Sequence, residues 1–300
     1  MASDEFGDVK EATLLPVSET EFADWRRKQG AKVINSEGRY WEAKPRGFYH
    51  AIHWMARMRA SQAVPPSTLT WGFRTTLCDA DRPAANGSMP VHLLTDVVNY
   101  DINTLASKKR NKLRNCQKKV QVVELLKPDF LKCTGYEVYQ SALQRTGYGQ
   151  KLSHAGFRAT VERYFDLPNR LVLGGLVEAK LRGYVFAYAL GDTAYIDAVN
   201  LHSAALSSNI GTCLIFNVVQ ACRRAGNIRE VVYGLDTPED RKLTVYKVEM
   251  GFPVVQVPTR VRLPPVVDAI IRLLRPFAYY RLTGHLTSMA SRKTHLLGPA

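Results

Sequence analysis

The amino-acid sequence predicts an α/β fold (an α+β mixed sheet), and two adjacent stretches carry this prediction. Residues 170–204 contain three runs of β-forming residues joined by turns at 180–182 and 191–192, a pattern typical of an antiparallel meander. Residues 205–257 then contain a turn of small residues, a long helix, a short apolar strand and a second helix that ends at Gly251. A meander that continues through a helical crossover produces a sheet with both antiparallel and parallel strands.

Shorter elements are predicted on either side of these stretches. Ser18 and Glu21 have the spacing of a capping box, which predicts a helix over residues 18–28. Residues 32–77 alternate apolar and polar side chains between Gly and Pro breaks, which predicts strands and hairpins; residues 78–90 are expected to form a loop and residues 91–98 another strand or a short element. The remaining predicted elements are helices at 128–149 and 157–168 and a last strand at 254–264. We expect residues 1–12 to form a flexible leader with no secretory signal.

The net charge favours an anionic partner. Lys and Arg number 41 and Asp and Glu 27, so the charge is 41 − 27 = +14. Such a surplus suits nucleic acid, coenzyme phosphates or a membrane surface, although charge kept for solubility is the alternative. The five cysteines contain no C-x-x-C pair, so neither a disulfide framework nor a zinc knuckle is expected, and a cytoplasmic location fits.

Residues 102–125 are expected to form a basic helix. Seven of the twelve residues 108–119 are cationic and none is acidic. An apolar stripe runs along the helix, and Lys109 lies within it; the stripe consists of Leu105, Ala106, Leu113, Cys116 and Val120. The cations either bind phosphates or form a solvated helix face, and the sequence leaves both alternatives open.

Two further features each have a functional and a structural interpretation. His50 and His53 have a spacing that suits metal ligands on a helix, but they lie in a predicted strand, where they would point to opposite sides, so no metal site is expected. Residues 266–277 form an amphipathic segment too short to cross a bilayer. This segment either docks on the protein's own core or lies on an anionic membrane surface, with Arg281, Arg292 and Lys293 contributing charge.

Two local patterns give the chain a resemblance to a known family. Residues 107–122 read SKKRNKLRNCQKKVQV and residues 243–252 read LTVYKVEMGF. From about Asn99 to Leu263 the chain resembles the FemAB/FemX-like (CelD-like) branch of the GNAT-type N-acyltransferase superfamily. The positions in register with that branch are Arg110, Asn111, Arg114 and Lys118 in the basic helix, and Tyr246, Lys247 and Gly251 in the aromatic–Lys–x–x–x–Gly pattern.

The resemblance implies a GNAT-type fold in a twin arrangement with a degenerate N-terminal half. The expected domains are 1–98 for this half, 99–263 for the acyltransferase domain and 264–300 for a basic amphipathic tail. The implied activity is transfer of an acyl or aminoacyl group from acyl-CoA, acyl carrier protein or aminoacyl-tRNA to an amine acceptor. These donors are co-substrates, so no permanently bound cofactor is expected. The basic-helix residues Arg110, Arg114 and Lys118 are the expected substrate-binding cations.

The resemblance also assigns catalytic residues, each with a structural alternative. Lys247 is the proposed stabiliser of the oxyanion that forms during acyl transfer, or a surface lysine paired with Glu249 or Asp240. Asp236 accepts the amine proton or orients the substrate, or it is the N-cap of a helix over 237–250. Tyr246 protonates a leaving thiolate, or it packs in the core.

The expected donor site departs from the usual coenzyme A signature. Users of acetyl-CoA have a pyrophosphate loop of the form R/Q-x-x-G-x-G/A, whereas this chain has a single glycine at the matching place, within Ser208, Asn209, Ile210, Gly211 and Thr212. FemAB-type enzymes use aminoacyl-tRNA and tolerate this loss. The alternative, from a different class, is a non-catalytic GNAT-like module that binds nucleic acid or an anionic surface.

Overall fold

A computed structural model describes residues 5–44 and 47–287 of the chain. The strands of this part are β1 (Phe6–Asp8), β2 (Val33–Ser36), β3 (Arg39–Ala43), β4 (Phe48–Ala51), β5 (Gly72–Thr76), β6 (Gly87–Leu94), β7 (Gln121–Leu125), β8 (Leu171–Val177), β9 (Lys180–Leu190), β10 (Thr193–Leu201), β11 (Glu230–Leu235) and β12 (Val254–Arg262). The helices are α1 (Glu19–Lys28), α2 (Ser107–Gln117), α3 (Asp129–Thr146), α4 (His154–Phe165), α5 (Ile210–Ala225), α6 (Arg241–Glu249), α7 (Pro265–Leu274) and α8 (Pro276–Thr283). Two 3₁₀ turns lie at Asp79–Ala84 and Ser203–Ser208.

The chain packs into two compact units, each built from segments that are distant in the sequence. Unit 1 contains residues 1–18, 94–233 and 249–251, and unit 2 contains residues 19–93, 234–248 and 252–300. The domains expected from the sequence are continuous, with boundaries after residues 98 and 263. That division stays a prediction.

The sheet of unit 1 contains both antiparallel and parallel strand pairs, as the sequence predicted. Its strands lie in the order β1-β7-β8-β9-β10-β11. All neighbours are antiparallel except β10 and β11, which are parallel and pair over three residues, Thr193–Tyr195 with Glu230–Val232. Pairing stops after Tyr195 although both strands continue, and a bulge interrupts the β9–β10 register between Ile196 and Ala198. The parallel pair is joined by a crossover that contains α5, as parallel connections require.

Unit 2 contains a second mixed sheet. Its strands lie in the order β6-β12-β5-β4-β3-β2, and here the parallel pair is β4 with β5. Each unit therefore has an antiparallel run followed by one parallel pair. In unit 2 the crossover between the parallel strands, residues 52–71, consists of turns and irregular structure without a helix. Unit 2 therefore lacks the helix that the corresponding crossover of unit 1 contains.

Several local predictions were wrong. Strand β6 begins at Gly87, inside the expected loop over residues 78–90. The β8–β9 turn lies at Glu178–Ala179 rather than at 180–182; both residues have positive φ, 51° and 60°, as a two-residue hairpin turn requires. Residues 121–125 of the predicted basic helix form strand β7, whose Val123 and Leu125 are buried. Within the expected leader, residues 6–8 form β1, which pairs with β7. The other predicted elements are present, with the expected 18–28 helix appearing as α1.

Candidate active site

The two sequence patterns that carry the family resemblance meet within unit 1. Lys109 of α2 is buried, and its Nζ lies 2.9 Å from Glu249 Oε2 at the end of α6. The glycine of the second pattern, Gly251, has φ +91°, and a Cβ there would lie 3.1 Å from a ring carbon of Tyr100. Tyr100 in turn donates its hydroxyl to the carbonyl oxygen of Met250 at 2.9 Å. A glycine is therefore required for both backbone and steric reasons.

Lys247 is a buried lysine on α6. Its side chain is in unit 2, the residue is 6% exposed, and Nζ lies 3.5 Å from the carbonyl oxygen of Leu235. Burial lowers the pKa of Lys247 to about 8, against the opposing attraction of Asp236 and Asp240. The expected alternative of a surface lysine paired with Glu249 does not describe this residue, because Glu249 pairs with Lys109. A cation with this pKa is mostly charged at neutral pH and available to stabilise a negative charge.

A cavity of about 310 Å³ adjoins the backbone that Lys247 contacts. Leu235, whose carbonyl oxygen accepts from Lys247 Nζ, also lines this cavity. The other lining side chains among the described residues are of two kinds. Six are apolar: Phe48, Trp71, Leu263, Ile271, Ala278 and Leu282. Three are cationic: Lys44, Arg74 and Arg281. Burial lowers the pKa of Arg74 to about 10, and its Nη1 donates to the carbonyl oxygen of Arg281 at 2.7 Å. The cavity suits an apolar group attached to an anion.

Asp236 is the centre of a buried polar network in unit 2. Its Oδ1 accepts from Thr244 Oγ1 and its Oδ2 from the Tyr280 hydroxyl, both at 3.0 Å, while its backbone N–H donates to Pro90 O at 2.9 Å. Burial raises the pKa of Asp236, but His92, Tyr280 and Thr244 stabilise the charged form more strongly, so the pKa lies below its usual value. Burial beside this carboxylate raises the pKa of Tyr280 to about 12.

The fully buried His92 completes this network. His92 Nδ1 lies 2.9 Å from the carbonyl oxygen of Phe252, and because a carbonyl only accepts, Nδ1 carries a proton. The other ring nitrogen, Nε2, lies 3.3 Å from Asp236 Oδ1, in ion-pair contact although not aligned as a hydrogen bond. Through this contact His92 contributes to lowering the pKa of Asp236.

The helix start predicted near Asp236 is displaced in the structure. We expected Asp236 as the N-cap of a helix over 237–250 if it had no catalytic role, but α6 begins at Arg241 and Asp240 Oδ1 accepts from the Leu243 N–H at 3.0 Å. Asp240 is therefore the capping residue. Tyr246 is half-buried on α6. The roles of Asp236 as proton acceptor and of Tyr246 as proton donor stay predictions.

The residues predicted to bind the acyl donor surround the N-terminus of α5 in unit 1. Asn209 adopts a left-handed conformation with φ 58°, and its carbonyl oxygen accepts from the Thr212 N–H at 2.9 Å. Ile210, Gly211 and Thr212 are buried, as is Ser208, whose hydroxyl donates to Ala205 O. Ile210 fits against the meander because Gly175 is there, where a Cβ would lie 2.8 Å from Ile210 Cδ1. The turn is thus held firmly, which an anion site at a helix N-terminus needs.

The predicted cations of α2 face two environments. Leu113 and Cys116 are buried, whereas Arg114 and Lys118 are exposed and Arg110 is half-buried. Arg114 and Lys118, both in unit 1, are therefore accessible to a large anionic partner. Lys109, which the sequence placed in the apolar stripe, is the exception among the helix cations because it forms the buried ion pair with Glu249.

Sequence reasoning missed the partners of Asp236. His92 lies in β6, whose last six residues are all buried, and Tyr280 lies in the tail, which we treated as a separate segment. A histidine in an otherwise apolar strand was the one available signal for His92, and a buried histidine is common enough to make that signal weak. Nothing in the sequence connected Tyr280 with Asp236, since the two are 44 residues apart.

The chain shares its fold with solved structures that include FemX, which confirms the fold that the sequence resemblance predicted. No model of a known protein family matches the sequence, and no curated relative is found. Solved structures do match. FemX superposes with a TM-score of 0.60 at 9% identity, covering 89% of this chain and 96% of FemX.

Two further structures extend this likeness. A domain named as the C-terminal domain of a lysylphosphatidylglycerol synthetase from Agrobacterium fabrum superposes with a TM-score of 0.59 at 13% identity, covering 92% of this chain and 97% of that one. L-PGS from Bacillus licheniformis gives 0.54 at 11% identity, covering 91% and 99%. At these identities the comparisons show the fold. Function has to be argued from the residues of the site.

Proposed function

We propose that the chain transfers an acyl or aminoacyl group from an activated carbonyl to an amine. The fold, shared with FemX, supports a GNAT-like transferase as the general class. The observation that carries the finer proposal is Lys247, a buried cation with a pKa of about 8 whose contact residue Leu235 also lines a cavity. Buried cations with shifted pKa beside a cavity are characteristic of catalytic sites.

In the proposed mechanism, Lys247 stabilises the oxyanion. A neutral amine attacks the carbonyl carbon of the donor, and the carbonyl oxygen gains negative charge as the tetrahedral intermediate forms. The Lys247 ammonium donates a hydrogen bond to this oxygen, in a site where burial makes the interaction stronger than in water. The amine then loses a proton, and the bond to the leaving thiolate or ribose oxygen breaks as that oxygen or sulfur is protonated.

Asp236 and Tyr246 complete the proposal. Asp236 attracts the Lys247 ammonium and so keeps it protonated more often than burial alone would allow. It is also the proposed acceptor of the amine proton or the group that orients the substrate. Tyr246 is proposed to donate a proton to the leaving group. We propose that the cavity beside Leu235 holds the apolar part of one substrate, with Arg74 and Arg281 facing its anionic part.

The donor is proposed to bind through unit 1. The Ser208–Thr212 turn at the start of α5 would take the phosphates of acyl-CoA or of acyl carrier protein. Arg114 and Lys118, with Arg110 beside them, would take the phosphates of aminoacyl-tRNA instead. A cytoplasmic location suits all three donors.

A thermal-shift screen distinguishes these donors. The probes are acetyl-CoA, a long-chain acyl-CoA, acyl carrier protein and aminoacyl-tRNA, each added in excess. A true donor at 100 times its Kd adds about 2.7 kcal/mol to the free energy of unfolding, which raises the melting temperature measurably. Arg114→Ala/Lys118→Ala is expected to remove the shift caused by tRNA and to leave a shift caused by acyl-CoA unchanged.

The same screen tests the alternative of a non-catalytic binding module. One outcome is that aminoacyl-tRNA and an RNA of equal length that carries no amino acid stabilise the protein equally while no thioester does. In that case a nucleic-acid-binding module is the better description. If no probe shifts the melting temperature, the proposed donors are wrong. Lys119→Ala, which removes an exposed cation just after α2 and outside the family register, serves as the matched control for the double variant.

A further inference from the structure

Helix α7 presents an apolar face to solvent. Val266, Ile270, Leu273 and Leu274 are 70%, 50%, 58% and 73% exposed. At 100° per residue these four side chains fall within an arc of about 100° on one side of the helix. No α7 residue is buried, although Ile271 on the inner side lines the cavity of unit 2. The expected alternative of a tail docked by its apolar face on the core therefore does not describe these four residues.

The charges around this face are arranged for an anionic surface. Arg272 and Arg275 are exposed and lie on the opposite, polar side of the helix, about 150° from the centre of the apolar arc, as in helices that lie on a membrane surface. Arg262, just before the helix, is exposed as well. The acid of the helix, Asp268, interacts with Tyr279 of α8. Arg281 is paired with Glu239, so the exposed cations near this face are Arg262, Arg272 and Arg275.

We propose that the outer face of α7 docks on an anionic lipid bilayer. The four apolar side chains would enter the boundary between headgroups and acyl chains, and the long arginine side chains of the polar side would extend to the lipid phosphates. The helix has 10 residues, which is too short to cross a bilayer, so it lies in the plane of the surface. In residues 5–44 and 47–287 no helix is long and apolar enough to span a membrane. The proposal does not depend on the acyl transfer proposed above.

Co-sedimentation with vesicles tests the proposal. The full-length protein is expected to pellet with vesicles that contain phosphatidylglycerol in phosphatidylcholine, and less so as salt is raised. Val266→Asp/Ile270→Asp is expected to weaken this binding at least about tenfold, since a charge must then enter the apolar boundary. Arg272→Gln/Arg275→Gln is expected to weaken it about fivefold for each arginine.

The matched control is Leu69→Asp. Leu69 is 82% exposed and lies in the loop before β5, outside α7, so its variant should bind as wild type does. Ile270→Trp is a milder change that keeps the face apolar, and its added indole fluorescence should shift to shorter wavelength with the anionic vesicles. The emission of Ile270→Trp tests the proposal even if Val266→Asp/Ile270→Asp does not fold.

Several outcomes would overturn the proposal. Unchanged binding by Val266→Asp/Ile270→Asp, equal loss in Leu69→Asp, or equal binding to vesicles of phosphatidylcholine alone would each exclude an anionic bilayer at this face. So would an Ile270→Trp emission that vesicles leave unchanged. A wild-type dimer in sedimentation velocity that becomes a monomer in Val266→Asp/Ile270→Asp would assign the face to a second copy of the chain instead.

Discussion

Replacing Lys247 with methionine is expected to lower turnover by about 100-fold or more, because it removes the cation proposed to stabilise the oxyanion. Methionine is similar in length and fills the buried space that Lys247 occupies, so packing on α6 is retained. The change also removes a buried ammonium that Asp236 and Asp240 attract, so urea denaturation of the variant checks that it is still folded. Turnover is measured as release of free thiol or deacylated tRNA, with the donor that raises the melting temperature.

Lys242→Met is the matched control for this variant. Lys242 is on the same helix, α6, and is exposed. Its loss changes the net charge by the same amount, so it should leave turnover unaffected. Equal turnover in Lys247→Met and wild type would exclude the assigned role of Lys247. Equal loss in both variants would mean that charge on α6 in general, rather than the buried ammonium, is needed.

Replacing Asp236 with alanine is expected to reduce the free energy of unfolding by about 3 kcal/mol or more. The change leaves His92, Thr244 and Tyr280 without their common partner. Removing the carboxylate is costly because the buried polar groups that contact it lose their compensation. Urea denaturation followed by tryptophan fluorescence measures the loss.

Two further variants show whether the network is responsible for that loss. Asp236→Asn keeps the shape and one acceptor oxygen, and its amide can donate to His92 Nε2, so it should cost less than alanine. Asp79→Ala removes an exposed acid paired with Arg82 and should change stability little. A loss in Asp236→Ala no larger than that in Asp79→Ala would show that the network does not stabilise unit 2.

Local sequence patterns predicted most of the fold because the determining residues are close together in the chain. The parallel pair that defines the mixed sheet follows from a meander, a helix and a strand in consecutive order. The burial of Lys109 was visible in the periodicity of α2. Gly251 was identified by its place in the family pattern, and its φ of +91° explains why that place needs glycine.

The predictions that were wrong or missing depend on contacts between distant residues. The turn at Glu178–Ala179 has positive φ at both positions without the Asn or Gly that usually indicates it. Strand β7 was read as helix because its pairing partners, β1 and β8, lie far away in the sequence. The Asp236 network joins residues of β6, α6 and α8 around the end of β11, and no local pattern records such a convergence.

The pH dependence of the turnover ratio between wild type and Lys247→Met tests the central claim most directly. Taking the ratio cancels the titration of the amine acceptor, which both proteins share. Since the pKa of Lys247 is about 8 and its charged form is the proposed stabiliser, the ratio should be constant below pH 8 and fall as pH rises above it. A ratio that instead rises through pH 8 would show that the neutral amine of Lys247 is the active form, and one that stays at unity would show that Lys247 takes no part.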